Sequence, residues 1–462
     1  MAVNVSVGDN SYELLLRLEA EGLIESGLLA TRPIGRREAL RLVIEAERNS
    51  KGKGKFIEAL IKSLKERFGD EADGVKYVKP LDGAYIKYVY GNKSAGLAYN
   101  NDGDAYRNGS NLRAGLSSVA DIGWLSYRIE PQYRHSGDGS LVMRRAYGSV
   151  RLKGIELTAG KDSQWWGPGH HGSLLLSNNA RPLTFLSLTN PEPALLPWIF
   201  KYLGPFRFAV FVTRLEKERA VPEPYMWGLR FDFKPSPYVE LGLERTALLG
   251  GEGRDESAGA WWRSFIGKGE NNGAADPGDQ KAGGDIKITL PLKWQPVQIY
   301  GSAAGEDEAG GLPSKWAYLI GMYLPRMANL ERVGFRAEYA NNHIDGHPYT
   351  WYNHWIYHTG YRYRGRVMGH HMGTDSKDLF IGLSYLMPEK DAVISLYYDR
   401  EDYNLSRITG VRSGKRQEGV VLMSLRPTGT FTLEAAFRYG RLTGTSMDGD
   451  FSEFSGAVGY GF

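Results

Sequence analysis

Trp227-Gly228-Leu229-Arg230-Phe231-Asp232-Phe233-Lys234, broken by Pro235-Ser236-Pro237, resumes as Val239-Glu240-Leu241-Gly242-Leu243-Glu244. Odd positions are apolar; even positions carry Arg, Asp, Lys, Glu or Gly. A period of two is the signature of a β-strand with unlike faces. The same alternation sets Val333, Phe335, Ala337 and Tyr339 against Gly334, Arg336 and Glu338. It returns with Phe431, Leu433, Ala435, Phe437 and Tyr439 against Thr432, Glu434, Ala436 and Arg438. A soluble sandwich and a membrane barrel both show this pattern, so alternation does not choose between them.

The connections choose. Short links at 120–122, 153–154, 234–237, 293–296, 325–328, 388–390 and 427–430 alternate with long ones. The long ones fall at 101–110, 135–141, 162–182, 215–225, 246–283, 305–315, 341–377, 401–417 and 441–453. Short turns on one side and long loops on the other describe an outer-membrane barrel. Nine long loops join nine hairpin pairs, which predicts about 18 antiparallel strands, an even number as single-chain bacterial barrels have. The last stretch agrees. Phe454, Val458, Tyr460 and Phe462 share one face and Ser455, Ala457, Gly459 and Gly461 the other, which resembles a barrel assembly signal. In this register Arg230, Asp232, Lys234, Arg336 and Glu338 face the lumen, and Leu229, Phe231, Phe335 and Phe437 face lipid. A lumen substitution such as Arg230→Gln is then expected to be tolerated.

Residues before 81 read differently. Leu14, Leu15, Leu18, Leu23 and Ile24 recur at helical spacing, as do Leu40, Val43 and Ile44, then Phe56, Leu60, Ile61 and Leu64. Ser11 is placed to cap the first helix and Gly22 or Gly27 to end it. The run Lys51-Gly52-Lys53-Gly54-Lys55 reads as a solvated turn. The expected division is a periplasmic module of about three helices over 1–80, near the barrel mouth and dispensable for insertion, and a barrel over 81–462.

Composition excludes more than it assigns. The 462 residues carry a net charge of only +4, too weak a bias to imply nucleic acid. With Cys 0, there is no disulfide framework, thiolate metal site or cysteine nucleophile. Gly 58, nearly twice the usual ~7%, together with Tyr 28, Phe 17 and Trp 11, suits strands and turns. No apolar run approaches the ~18–20 residues of a membrane helix; the longest, Ala194 to Phe200, is interrupted by Pro197. Met1-Ala2 followed by polar residues reads as a mature chain with a new start.

Two motifs invite catalytic or metal readings. Gly167-Pro168-Gly169-His170-His171-Gly172 matches G-x-G-x-x-G, but Trp165-Trp166 precede it, Pro168 removes an amide and no helix opens after it. His343, His347, His354, His358, His370 and His371 crowd one segment, yet no H-E-x-x-H signature appears. The same segment holds Tyr349, Trp351, Tyr352, Trp355, Tyr357, Tyr361 and Tyr363, so ring packing inside an inward-folded loop is the preferred account. No metal and no cofactor is assigned. There is no G-x-S-x-G elbow, and no catalytic residue is identified.

Gln164-Trp165-Trp166-Gly167-Pro168-Gly169, then Ser173-Leu174-Leu175-Leu176-Ser177-Asn178-Asn179-Ala180-Arg181-Pro182, resembles the central motif of the capsule-assembly Wzi family. Gly360-Tyr361-Arg362-Tyr363-Arg364-Gly365, with Gly369-His370 and Asp375-Ser376, is similar to its second hallmark. The resemblance implies an outer-membrane barrel, loops outward and helices periplasmic, acting as a non-catalytic lectin that holds capsular or exopolysaccharide at the cell surface. Outer-membrane lipids are the other partner, and a monomer is expected. Sugar recognition suits aromatic rings beside Arg. The candidate glycan contacts are Trp165, Trp166, Tyr349, Trp351, Tyr352, Trp355, Arg362, Arg364 and Arg366, of which fewer than half are expected to touch glycan. Loops 162–182 and 341–377 are expected to fold inward and occlude the lumen. A channel for small solutes and an outer-membrane hydrolase stay open as rival readings.

Overall fold

The computed structural model describes all residues except 1–2, 72–75, 94–97, 268–277, 307, 310–311, 409–412 and 445–447. Its wall is a closed antiparallel barrel of 18 strands. These are β1 (Tyr77–Gly91), β2 (Gly109–Asp121), β3 (Leu125–Ser136), β4 (Asp138–Leu152), β5 (Ile155–Asp162) and β6 (Leu183–Thr189). Next come β7 (Pro205–Arg214), β8 (Tyr225–Ser236), β9 (Val239–Leu249), β10 (Gly278–Leu290), β11 (Val297–Glu306) and β12 (Trp316–Leu324). The last six are β13 (Val333–Asn341), β14 (Lys377–Met387), β15 (Ala392–Tyr403), β16 (Gly414–Leu425), β17 (Phe431–Thr443) and β18 (Gly449–Gly461). Each strand pairs with its sequence neighbours, and β18 closes on β1 with Ile86 opposite Val458. Closure leaves no free edge, the condition a sheet must meet to cross lipid.

The wall obeys the alternation. Ile86, Leu116, Leu243, Ile320, Phe437 and Val458 are exposed on the outside, whereas Arg230, Asp232, Lys234, Arg336 and Glu338 are buried inside. Exposed aromatics gather at both rims: Trp124, Trp198 and Trp294 in links on the short-turn side, Tyr90, Trp316, Tyr318 and Tyr439 toward the long loops. Such girdles mark the two membrane interfaces of a barrel. Link 135–141, expected to be long, is a tight turn at Gly137, whose φ of 92° suits glycine. Trp227 does not reach lipid, because helix α4 (Ala258–Ile266) lies over it and accepts its indole N–H on Ser264 Oγ at 3.0 Å. Ser257 caps that helix and Gly267 ends it in the left-handed region.

Three helices precede the wall: α1 (Ser11–Ala20), α2 (Arg36–Asn49) and α3 (Lys55–Phe68). Ser11 is the first residue of α1 and not its cap; its N–H donates to the Asp9 carboxylate at 2.8 Å, and Gly22 ends the helix at φ 76°. Their apolar stripes pack on one another and on Leu386 and Val393, beside the short link 388–391. Ser63 Oγ donates to Asp391 at 3.0 Å, and Arg326 pairs with Glu21 at 3.3 Å. The segment after α1 goes further, into the lumen. Ala30 N–H donates to Glu240 at 2.9 Å, Thr31 Oγ1 to Asp232 at 2.7 Å, and Thr31–Arg32 pairs with Trp165–Trp166. The helices are thus a plug sharing the barrel's interior, and a division at 80/81 falls inside β1.

Much of the lumen face is buried in ion pairs. Arg230, 0% exposed, meets Asp232 at 2.8 Å, Glu244 at 2.9 Å and Asp285 at 2.7 Å. Lys281 bridges Asp279 and Glu306, and Arg145 bridges Asp102, Glu130 and Asp162. The expected tolerance of Arg230→Gln therefore does not fit this wall, since it would strand three buried carboxylates. That loss is expected to cost about 3–5 kcal/mol, against about 2–4 kcal/mol for Phe231→Arg on the lipid face. Heat-modifiable gel mobility and denaturant melts of both variants check this; wild-type stability of Arg230→Gln would contradict it.

Glu19 ties plug to wall. It accepts hydrogen bonds from Lys234 at 2.7 Å, Lys287 at 2.7 Å and Gln298 at 3.0 Å. Burial alone would raise its pKa, but the two ammonium groups outweigh burial and hold it at about 2, against 4.5 when free. A depressed carboxylate pKa contributes stability that is complete above 4.5 and lost as pH falls toward 2. Thermal stability of the wild type is expected to drop through that window, while Glu19→Gln starts lower and loses less. Parallel pH profiles would count against the tie.

Candidate functional site

The two strings singled out in the sequence meet inside the long-loop end of the barrel. In loop 163–182, the strand Trp165–Trp166 is anchored on the plug, with Gly167 N–H donating to Ala30 O at 3.0 Å. The chain then turns so that three consecutive amides face one carboxylate: His170 at 2.7 Å, His171 at 3.0 Å and Gly172 at 3.2 Å from Glu338. Tyr300 adds its hydroxyl at 2.9 Å. The G-x-G-x-x-G string thus builds an amide nest for the chain's own carboxylate. Leu174, Leu175 and Leu176 follow into the main core.

The second string closes over the first. Ser177 donates its N–H to Met368 O at 2.8 Å and its hydroxyl to Gly369 O at 2.6 Å, and Asn179 Nδ2 donates to Val367 O at 2.9 Å. Tyr352 reaches down to donate to Leu174 O at 2.7 Å and accepts the His370 N–H at 2.9 Å. Trp351 donates to Lys315 O at 2.8 Å, and Tyr357 to Gly250 O at 3.0 Å. Gly360, at φ 71°, cannot be replaced cheaply: a Cβ there would sit 2.1 Å from Tyr352 O. Burial raises the Tyr352 and Tyr361 phenols above their ordinary range. One apolar core runs from Ala20 of the plug through Trp166 and Leu174–Leu176 to Trp351, Tyr352, Tyr357 and Tyr361. Both long loops fold inward into the lumen.

That packing sorts the nine expected glycan contacts. Trp165, Trp166, Trp351 and Tyr352 are buried. Trp166, Trp351 and Tyr352 pack in the apolar core, and Trp165 lines a cavity beneath the loops. Arg362 spends its guanidinium on Tyr352 O at 2.9 Å and Asn353 Oδ1 at 3.1 Å. Arg366 donates to Asp104 O at 3.2 Å and to Ala98 O. Burial lowers the pKa of both guanidiniums. Tyr349 at 45%, Trp355 at 53% and Arg364 stay exposed. The surface around them includes exposed His347, His358, Lys217 and Glu218, absent from the expected set. Loop 215–224 is held there by Arg219, which donates to Gly360 O at 2.9 Å and Arg362 O at 3.0 Å. Only its length marked that loop in the sequence.

The histidines do not act as one group. His343 pairs with Asp375 at 2.6 Å near the surface. His371 instead joins His171 of the other loop and Asp378 of β14, with donor atoms within 4.8 Å of one another. Burial holds His370 and His371 well below 6.5, whereas His171 is pulled down by burial but raised on balance by Asp399.

Fold and cap define a class: a membrane β-barrel whose lumen is filled by its own helices and loops. The family model described as capsule assembly protein Wzi matches residues 87–443. The chain belongs to that family. A Klebsiella pneumoniae protein, described as an uncharacterized 55.8 kDa protein in the cps region, is 35% identical over 231 residues, covering 50% of this chain. The matched part spans 43% of that relative, less than half its length. Among solved structures, Escherichia coli Wzi, an outer-membrane protein involved in group 1 capsule assembly and called a carbohydrate-binding β-barrel, superposes with a TM-score of 0.83. It is 24% identical with 100% of both chains covered. Pseudomonas aeruginosa OprD shares the barrel more loosely, at TM-score 0.50 and 11% identity over 83% of this chain and 95% of that one.

Proposed function

We propose that this chain is a non-catalytic outer-membrane protein that binds capsular or exopolysaccharide at its long-loop face and attaches it to the cell surface. In this reading the loops point outward and α1–α3 lie on the periplasmic side. One observation carries it: the motif loops divide into a buried clamp and an exposed tip. The clamp fixes the backbone of 342–376 from beneath, and the tip presents Tyr349, Trp355 and Arg364 on that fixed base. Aromatic rings stack on the apolar faces of pyranoses, and a guanidinium bonds hydroxyls or the carboxylates of an acidic polymer. Pre-organised loops lower the entropy that binding must overcome. Membership of a capsule-assembly family supports the polymer as ligand. A solute channel needs a continuous wet path, and the packed core works against one.

The test is alanine substitution at Tyr349, Trp355 and Arg364, and at Trp351 and Tyr352, scored for polymer retention on cells and for folding by heat-modifiable mobility. At least one exposed position is expected to lose about 2 kcal/mol of binding, roughly thirty-fold, with normal folding. Trp351→Ala and Tyr352→Ala are expected to fail in folding, at about 3–5 kcal/mol for a large buried ring. Wild-type retention by all three exposed variants would overturn the assignment of the tip.

A further inference from the structure

We propose that His171, His371, Asp378 and Asp399 form a binding site for a divalent transition-metal ion, with zinc the best chemical match, that locks the two motif loops to the barrel wall. The four come from four different places: loop 163–182, loop 342–376, β14 and β15. All four side chains are more than nine-tenths buried.

The observation that points to a ligand is a set of buried polar atoms without hydrogen bonds. Asp378 Oδ2, both oxygens of Asp399, and His171 Nε2 make none of acceptable geometry. Yet they converge. His171 Nε2 lies 3.4 Å from Asp399 Oδ1 and 4.0 Å from Asp378 Oδ2, and His371 Nε2 lies 3.6 Å from Asp378 Oδ2. Two of these spacings, 3.4 and 3.6 Å, match ligand–ligand edges, and the third, 4.0 Å, shortens when the atoms share a centre. Four ligands at zinc distances of about 2.0–2.2 Å stand roughly 3.3–3.6 Å apart along the edges of a tetrahedron.

Charge argues the same way. Arg416 faces Glu418 at 2.8 Å and Glu401 at 3.3 Å, and Arg438 faces Glu418 at 3.6 Å. Glu338 has its three amides. Asp378 and Asp399 face the imidazoles of His171 and His371, with Arg416 also acting on Asp399, and two buried carboxylates require compensating positive charge.

The surroundings resemble a second ligand shell. His371 Nδ1 lies 2.6 Å from Glu401 Oε1, the contact carboxylates make to metal-bound histidines, and its Nε2 lies 3.0 Å from His171 O, a hydrogen bond that ligation would replace. Tyr99 stacks on the His371 ring at 4.3 Å, and Phe380 on His171 at 4.4 Å. Gly172 permits the approach of the two loops, since a Cβ there would lie 2.1 Å from the His370 ring. A cavity of about 370 Å³ lined by Tyr99, His171 and Tyr397 adjoins the cluster and gives an ion a way in. Two imidazoles and two carboxylates favour zinc and its first-row neighbours over calcium or magnesium, which prefer all-oxygen shells.

The experiment uses untagged full-length protein in detergent, stripped by chelator, equilibrated with Zn²⁺ and assayed by plasma mass spectrometry. About one zinc per chain and a higher melting temperature with Zn²⁺ are expected. Asp378→Asn and His171→Gln should lose at least tenfold in affinity, while the exposed His347→Gln keeps the ion. Folded wild type that takes up no zinc would overturn the site, leaving a proton shared between the carboxylates as the occupant. So would equal zinc in wild type and the folded variants. If the variants do not fold, zinc-edge X-ray absorption on the wild type decides. A four-coordinate shell with two imidazoles at about 2.0–2.1 Å supports the site, and an imidazole-free shell overturns it.

Discussion

Strand alternation commits Arg, Lys, Asp and Glu to the inside of a closed wall, and the barrel then has to supply each of them with a partner. Water would do so in an open pore. Here helices and loops take its place over much of the interior, which is a mesh of buried ion pairs. Glu19 between Lys234 and Lys287 shows the principle from the plug side, and Glu338 under the amides of 170–172 shows it from the loop side. Removing one partner from such a mesh strands a charge at low dielectric, which is why plug, wall and cap depend on one another.

The same constraint explains the two motif strings. They are conspicuous for Trp, Tyr, Leu and Gly because they must fill a wide lumen densely while letting backbones approach closely. String one supplies the amide nest and the Leu174–Leu176 floor; string two lays Tyr352, Tyr361 and Met368 on top of it. What remains for recognition is the outer skin of the second loop and its neighbours, fixed in place by the layers beneath.

The strand wall was legible in the sequence because period two and loop asymmetry are local signals. The three helices were legible for the same reason. Long-range outcomes were not. Nothing in Thr31-Arg32 announces that it will pair with Trp165-Trp166, nor in Glu19 that it will meet Lys234. Ring-rich loops gave no local cue separating buried Trp351 from exposed Trp355, since both roles use the same residue types. Among the histidines, the crowded segment drew attention to His343 and His347, whereas the buried cluster needed His171 from a loop far away in sequence. Arg230 looked like a wetted lumen residue and is instead the hub of three buried carboxylates.

Single-channel recording of the intact protein in planar lipid bilayers addresses the central claim that this barrel is filled rather than open. The packed core running from Ala20 to Tyr361 predicts no steady ohmic conductance, even though the wall is wide enough for a pore. Stable, voltage-independent openings by folded wild-type protein would contradict it and return the chain to the channels.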